Sequence, residues 1–195
     1  MAWLWYLSHP EVVVDPEVPV PDWGLNEIGR RRVQDWIARG TFAGVGRIVS
    51  SAERKARETA APIAQALGIE PDAREDLGEN DRSATGFLPP SEFETARQAF
   101  FAAPSVRYRG WETAEAAQVR VAKAAAEVVA GHDPRRDLLL VGHGAVGTLL
   151  WCHLAGAAIK VARDQPAGGG CIWRAPLGGG APEAPWARAE DARSG

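Results

Sequence analysis

Two apolar runs, Trp3-Leu4-Trp5-Tyr6-Leu7 and Leu138-Leu139-Leu140-Val141, each open into a small residue followed by a histidine: Ser8-His9 and Gly142-His143. An apolar run without alternation, ending at a turn, is the signature of a strand covered on both faces, as in an open α/β sheet with helices on either side. Ligands of such sheets sit at the carboxyl ends of the strands. The two imidazoles are therefore expected at one edge, acting on one substrate.

The remaining order of elements follows from periodicity and punctuation. Pro10 to Asp22 is rich in Val and Pro and suits an extended loop. Asn26 is placed to cap a helix carrying Ile28, Val33, Trp36 and Ile37, with Gly40 as its stop. Gly46 to Ser50 reads as a strand and Ala52 to Leu67 as a helix closed by Gly68. Ile69 to Asn80 reads as an extended segment and loop, and Arg82 to Pro90 as an excursion. Ser91 and Glu94 have capping-box spacing for a helix to Ala103. Thr113 to Ala130 is a long helix, Asp137 to Gly142 a strand, Ala145 to Leu154 a helix, and Cys171 to Ala175 a last strand after the glycine bend 168–170. Alternating strands and helices predict a three-layer α/β/α sandwich with a mainly parallel central sheet. One domain is expected over residues 1–176, followed by a mobile or loosely draped tail, 177–195, rich in Gly, Ala and Pro.

Composition removes several classes of function. A net charge of −3 over 195 residues leaves no basic stripe for nucleic acid. No apolar stretch reaches membrane-spanning length and no signal-peptide pattern opens the chain, so a cytoplasmic protein without a membrane partner is expected. Cys152 and Cys171 have no paired spacing, and His9, His143 and Glu79 form no compact ligand motif; neither a disulfide framework nor a metal or other cofactor is expected. Any acidic ligand must be met locally.

A neutral imidazole is a nucleophile toward phosphorus, and a covalent phosphohistidine splits one hard displacement into two easier ones. His9 suits that part. A second imidazole, His143, held protonated, would stabilise charge on the transferring group. The leaving oxygen needs a proton from a carboxyl group of raised pKa, and residue type alone does not select which one.

Four segments in order, Leu7-Ser8-His9-Pro10-Glu11, Gly24-Leu25-Asn26-Glu27-Ile28-Gly29-Arg30, Ser50 to Ala60, and Val141-Gly142-His143-Gly144, resemble the histidine phosphatase superfamily, also called phosphoglycerate mutase-like. The resemblance runs from Trp3 to about Ala175. It implies His9 as nucleophile, His143 as the second pocket histidine, and Glu79, in Leu77-Gly78-Glu79, as general acid, with Glu112 of Gly110-Trp111-Glu112-Thr113 as the rival. It also implies a phosphatase rather than a mutase, since the middle insertion is small, and hence a small phosphate ester or another anionic ligand as partner.

Two departures accompany the resemblance. Ser8-His9-Pro10 stands where the superfamily has Arg-His-Gly, and Lys55 stands where its second motif has arginine. Ser8 and Lys55 are thus the expected phosphate-binding residues, one neutral hydrogen bond and one point charge in place of two planar forks. Arg54, Arg57, Arg82 and Arg120 are further cations that the sequence does not aim. A degenerate member that binds an anion or a protein partner without turnover is the alternative reading.

Overall fold

In the computed structural model, residues 2–192 are described. Six strands form one sheet: β1 (Trp3–Ser8), β2 (Val45–Ser51), β3 (Asp72–Arg74), β4 (Asp137–Gly142), β5 (Cys171–Pro176) and β6 (Ala187–Arg188), in spatial order β3-β2-β4-β1-β5-β6. β1 to β4 run parallel, whereas β5 pairs antiparallel with β1 and β6 antiparallel with β5. The expected sandwich is present.

Helices α1 (Glu27–Ala38) and α2 (Arg54–Leu67) cover one face, while α3 (Pro90–Ala102), α4 (Ala114–Ala130) and α5 (Gly144–Leu154) cover the other. Side-chain alternation divides the central strands between two cores. Trp5, Leu7, Leu139 and Val141 pack with Val33, Trp36, Ala60 and Ile63. Leu4, Tyr6, Leu138 and Leu140 pack with Val121, Ala124, Val146 and Leu149. Burial on both faces is why these strands read as continuous apolar runs.

The helix boundaries follow local chemistry. Asn26 accepts the Gly29 N–H at 2.9 Å as the α1 cap, and Thr113 accepts the Ala116 N–H at 3.1 Å as the α4 cap. Gly68 ends α2 in the left-handed conformation, φ 67°. The capping box at Ser91 is not used. α3 starts instead with Pro90 at its first position, where a missing N–H costs nothing, and the Glu94 carboxylate turns to Arg97 and Gln98. Ile28, expected on the buried face of α1, is 56% exposed.

The tail is the main departure from expectation. Residues past Leu177 return to the sheet as β6, and Ala189 is fully buried. Trp186 meets Tyr6 edge-on at 5.8 Å between ring centroids, with its Nε1–H donating to Thr148 Oγ1 at 2.9 Å. Glu190 pairs with Arg32 at 2.6 Å. Composition suggested a loose segment because the tail lacks aliphatics, but one indole and one carboxylate anchor it. Residues 193–195, part of the same expectation, lie outside the described residues. No helix among the described residues is long and apolar enough to cross a membrane.

Candidate active site

The register Ser8↔Gly142 between neighbouring parallel strands means that the next residue of each chain, His9 and His143, emerges at the same carboxyl edge. The His9 N–H continues the ladder to the Gly142 carbonyl at 2.9 Å. The rings lie 5.3 Å apart between centroids, nearly perpendicular, close enough to contact one small anion.

His9 is held from three sides. Its Nδ1 lies 2.8 Å from the Pro10 carbonyl, which can only accept, so Nδ1 carries the ring proton and Nε2 keeps its lone pair. Gly170 N–H donates to the His9 carbonyl at 3.0 Å, and the bend approaches so closely that a Cβ on Gly169, φ 60°, would lie 2.2 Å from that oxygen. Burial, reinforced by the Lys55 charge, lowers the His9 pKa to about 4, so the imidazole is neutral near pH 7.

His143 is wholly buried. The Tyr6 hydroxyl clamps its backbone, donating to the His143 carbonyl and accepting its N–H, both at 3.1 Å. Nε2 lies 2.8 Å from Ser51 Oγ and 3.4 Å from the Glu53 carboxylate, which favours a proton on Nε2. Burial drives its pKa well below the ordinary value, against a partial offset from Glu53. Without a bound anion His143 is therefore held neutral, because complete desolvation disfavours its charged form.

Glu79 enters the same cavity from the loop after the 3-10 turn Glu75–Leu77. Burial raises its pKa, and its Oε1 accepts the N–H groups of Asn80 at 3.1 Å and Val146, in the first turn of α5, at 3.2 Å. Glu112 does not line that cavity. Both of its oxygens are held by Arg120, at 3.1 and 2.7 Å.

Ser8 and Lys55 are brought beside the histidines but turned to other partners. Ser8 is fully buried; its hydroxyl donates to Gln165 Oε1 and accepts the Cys171 N–H at 3.0 Å. The Lys55 ammonium, only 2% exposed, donates to the Val20 carbonyl at 2.8 Å and to the Glu53 carboxylate. Glu53 thus sits among Lys55, His143 and the Glu79 N–H, which it accepts at 2.8 Å, and its pKa falls to about 2 against its own desolvation. Lys55 is a buried counter-ion in this arrangement, not a free anchor. Lys55→Ala is expected to destabilise the fold by about 3 to 5 kcal/mol, because a buried carboxylate and carbonyl lose their partner; a urea midpoint measures this.

Three groups absent from the sequence-derived set face the cavity. Arg82 lines it with no ion pair among the described residues, its guanidinium 5.0 Å over the Phe93 ring. Asn80, also lining it, is 6% exposed, and its Nδ2 is buried without a hydrogen-bond partner, as is His143 Nδ1. Gly144 and Ala145 bring the N-terminus of α5 to the cavity, adding the helix's positive end. The excursion after Asn80 has no periodicity, so no sequence pattern aims Arg82. Arg54 pairs with Glu58 and Arg120 with Glu112.

The model of the histidine phosphatase superfamily, branch 1, matches residues 17–183, and the chain belongs to that superfamily. The matched span begins beyond Ser8-His9-Pro10, the first segment that departs from the superfamily's pattern. Among solved structures, the chain resembles mycobacterial glucosyl-3-phosphoglycerate phosphatase in complex with inorganic phosphate, at 20% identity and a TM-score of 0.79, covering 97% of this chain and 99% of that one. It also resembles Entamoeba histolytica phosphoserine phosphatase with 3-phosphoglyceric acid (16%, 0.73, 97% and 99%). A third is Bacillus stearothermophilus YhfR (20%, 0.70, 89% and 90%). Identities this low establish a shared fold. No curated protein sequence matches the chain.

Proposed function

We propose that the protein is a metal-independent phosphatase that hydrolyses a phosphomonoester through a phosphohistidine on His9. The observation that carries this is the Nδ1 to Pro10 carbonyl bond, which leaves the Nε2 lone pair of a neutral His9 free beside His143. Nε2 attacks phosphorus, the ester P–O bond breaks, and the leaving oxygen takes the proton of Glu79. Water then attacks the phosphohistidine, the Glu79 carboxylate accepts the water proton, and the N–P pair returns to Nε2. Arg82, Asn80 and the α5 N-terminus stabilise the phosphoryl oxygens. The dianion's charge draws a proton onto His143, whose otherwise unpartnered Nδ1 becomes a further donor.

The test is turnover of an aryl phosphate in EDTA, with an alkaline quench and intact-protein mass measurement to trap one phosphoryl group, since phosphohistidine survives alkali. A trapped adduct with turnover supports the reading; neither, across a small panel of esters, rejects it.

The pH profile carries a second expectation. As pH falls through about 4, His9 is protonated and kcat/KM falls with its lone pair. On the alkaline side, kcat/KM falls as Glu79, its pKa raised by burial, loses the proton it must donate. Glu79→Gln is expected to lower kcat for an alkyl phosphate by about 100- to 10,000-fold and to remove the alkaline limb.

A non-catalytic anion-binding role is the second reading. The occupied polar atoms of Ser8 and Lys55 favour it, because they leave a single unpaired guanidinium at the cavity among the described residues. Phosphate binding without adduct or turnover would establish it.

A further inference from the structure

The organic part of the ligand must occupy the outer portion of the same cavity, about 450 Å³, a volume suited to a small ligand. Its aromatic lining comes from Phe93, Phe100 and Trp111. The remaining charged lining is an ion-pair cluster. Arg97 donates from Nε and Nη2 to Glu94, both at 2.9 Å, and from Nη1 to Asp164 at 2.7 Å. The other Asp164 oxygen accepts from Thr148 Oγ1 at 2.9 Å and from the Gln165 N–H at 2.8 Å. Three of the five guanidinium N–H donors are thereby engaged, and two carboxylates against one cation leave this wall net negative. Arg82 is the other cation lining the cavity. On the phosphatase reading above it meets the phosphoryl oxygens, and its guanidinium lies 5.0 Å over the Phe93 ring.

We propose that the pocket selects phosphomonoesters whose organic part is apolar or aromatic and carries no second negative charge; the ester rests on the phosphatase reading above, the charge preference on the Arg97, Glu94 and Asp164 cluster. A carboxylate on the organic part would meet a net negative wall with every cation there already paired. A neutral aryl or alkyl group meets the rings, and an ammonium group meets Glu94.

The probes are benzylphosphonate and 4-carboxybenzylphosphonate, which cannot be hydrolysed, so their binding reports charge selection whether or not the protein turns over esters. By calorimetry at low salt, the carboxylated compound is expected to bind about ten-fold more weakly, the effect of one unscreened like charge at cavity distances. Glu94→Gln, on an exposed helix position, should narrow that ratio several-fold while circular dichroism reports an intact fold. Equal or tighter binding of the carboxylated compound, an unchanged ratio in Glu94→Gln, or no binding of either compound overturns the proposal. Failure of the phosphatase reading alone looks different: benzylphosphonate binds with the expected preference, yet phenyl phosphate is not hydrolysed.

Discussion

His9→Ala is expected to lower turnover of an aryl phosphate by about 10,000-fold or more and to eliminate the trapped phosphoryl adduct, because no neighbouring group can replace the nucleophile. His143 is the nearest imidazole, but it is fully buried, clamped through its backbone by Tyr6, and engaged at Nε2 with Ser51. It cannot advance to the position of the missing ring. His9 itself is only partly buried, and the backbone bonds that hold it, to Gly142 and Gly170, survive the substitution. A normal thermal midpoint with abolished turnover is the expected pairing. Residual turnover within ten-fold of the wild type would transfer the chemistry to another residue.

Arg82→Ala is expected to reduce kcat/KM by about 100- to 1,000-fold, the usual cost of losing one preorganised charged donor at a phosphoryl group. The reason is the absence of a reserve. Lys55 is tied to Glu53 and Val20, Arg97 to Glu94 and Asp164, and Arg120 to Glu112. Arg82→Lys should restore only part of the loss, since a point charge does not reproduce two parallel N–H donors. If Arg82→Ala leaves kcat/KM unchanged and Lys55→Ala instead abolishes it in folded protein, the anchor is Lys55.

The sequence disclosed the frame of the site more readily than its charges. β1 and β4 are legible because double-sided burial makes them apolar throughout, and the pairing of His9 with His143 follows once both strands are placed at one edge. Glu79 was reached through a resemblance of three residues, and it lines one cavity with His9. The burial of Lys55 was not legible, since lysine is seldom buried and its motif register gives no sign of its ion pair with the Glu53 carboxylate two residues earlier. Arg82 was hidden for the opposite reason. It stands in an aperiodic loop, where the direction of a side chain depends on long-range packing against Phe93 rather than on neighbours in sequence. The tail was misread from composition, since the contacts of Trp186 and Glu190 are to residues far away in the chain.

The anchoring of that tail has a consequence for the order in which the molecule can be assembled. Asp164 on the cavity wall shares the Thr148 hydroxyl with the Trp186 indole, and Glu190 pairs with Arg32, which also pairs with Glu11, two residues from His9. His9 and the groups that complete the support of its surroundings are thus far apart in sequence and are joined only by long-range contacts. Any chemistry that rests on His9 is therefore tied to contacts between distant parts of the chain, the kind that form late because their loop-closure cost must be met first.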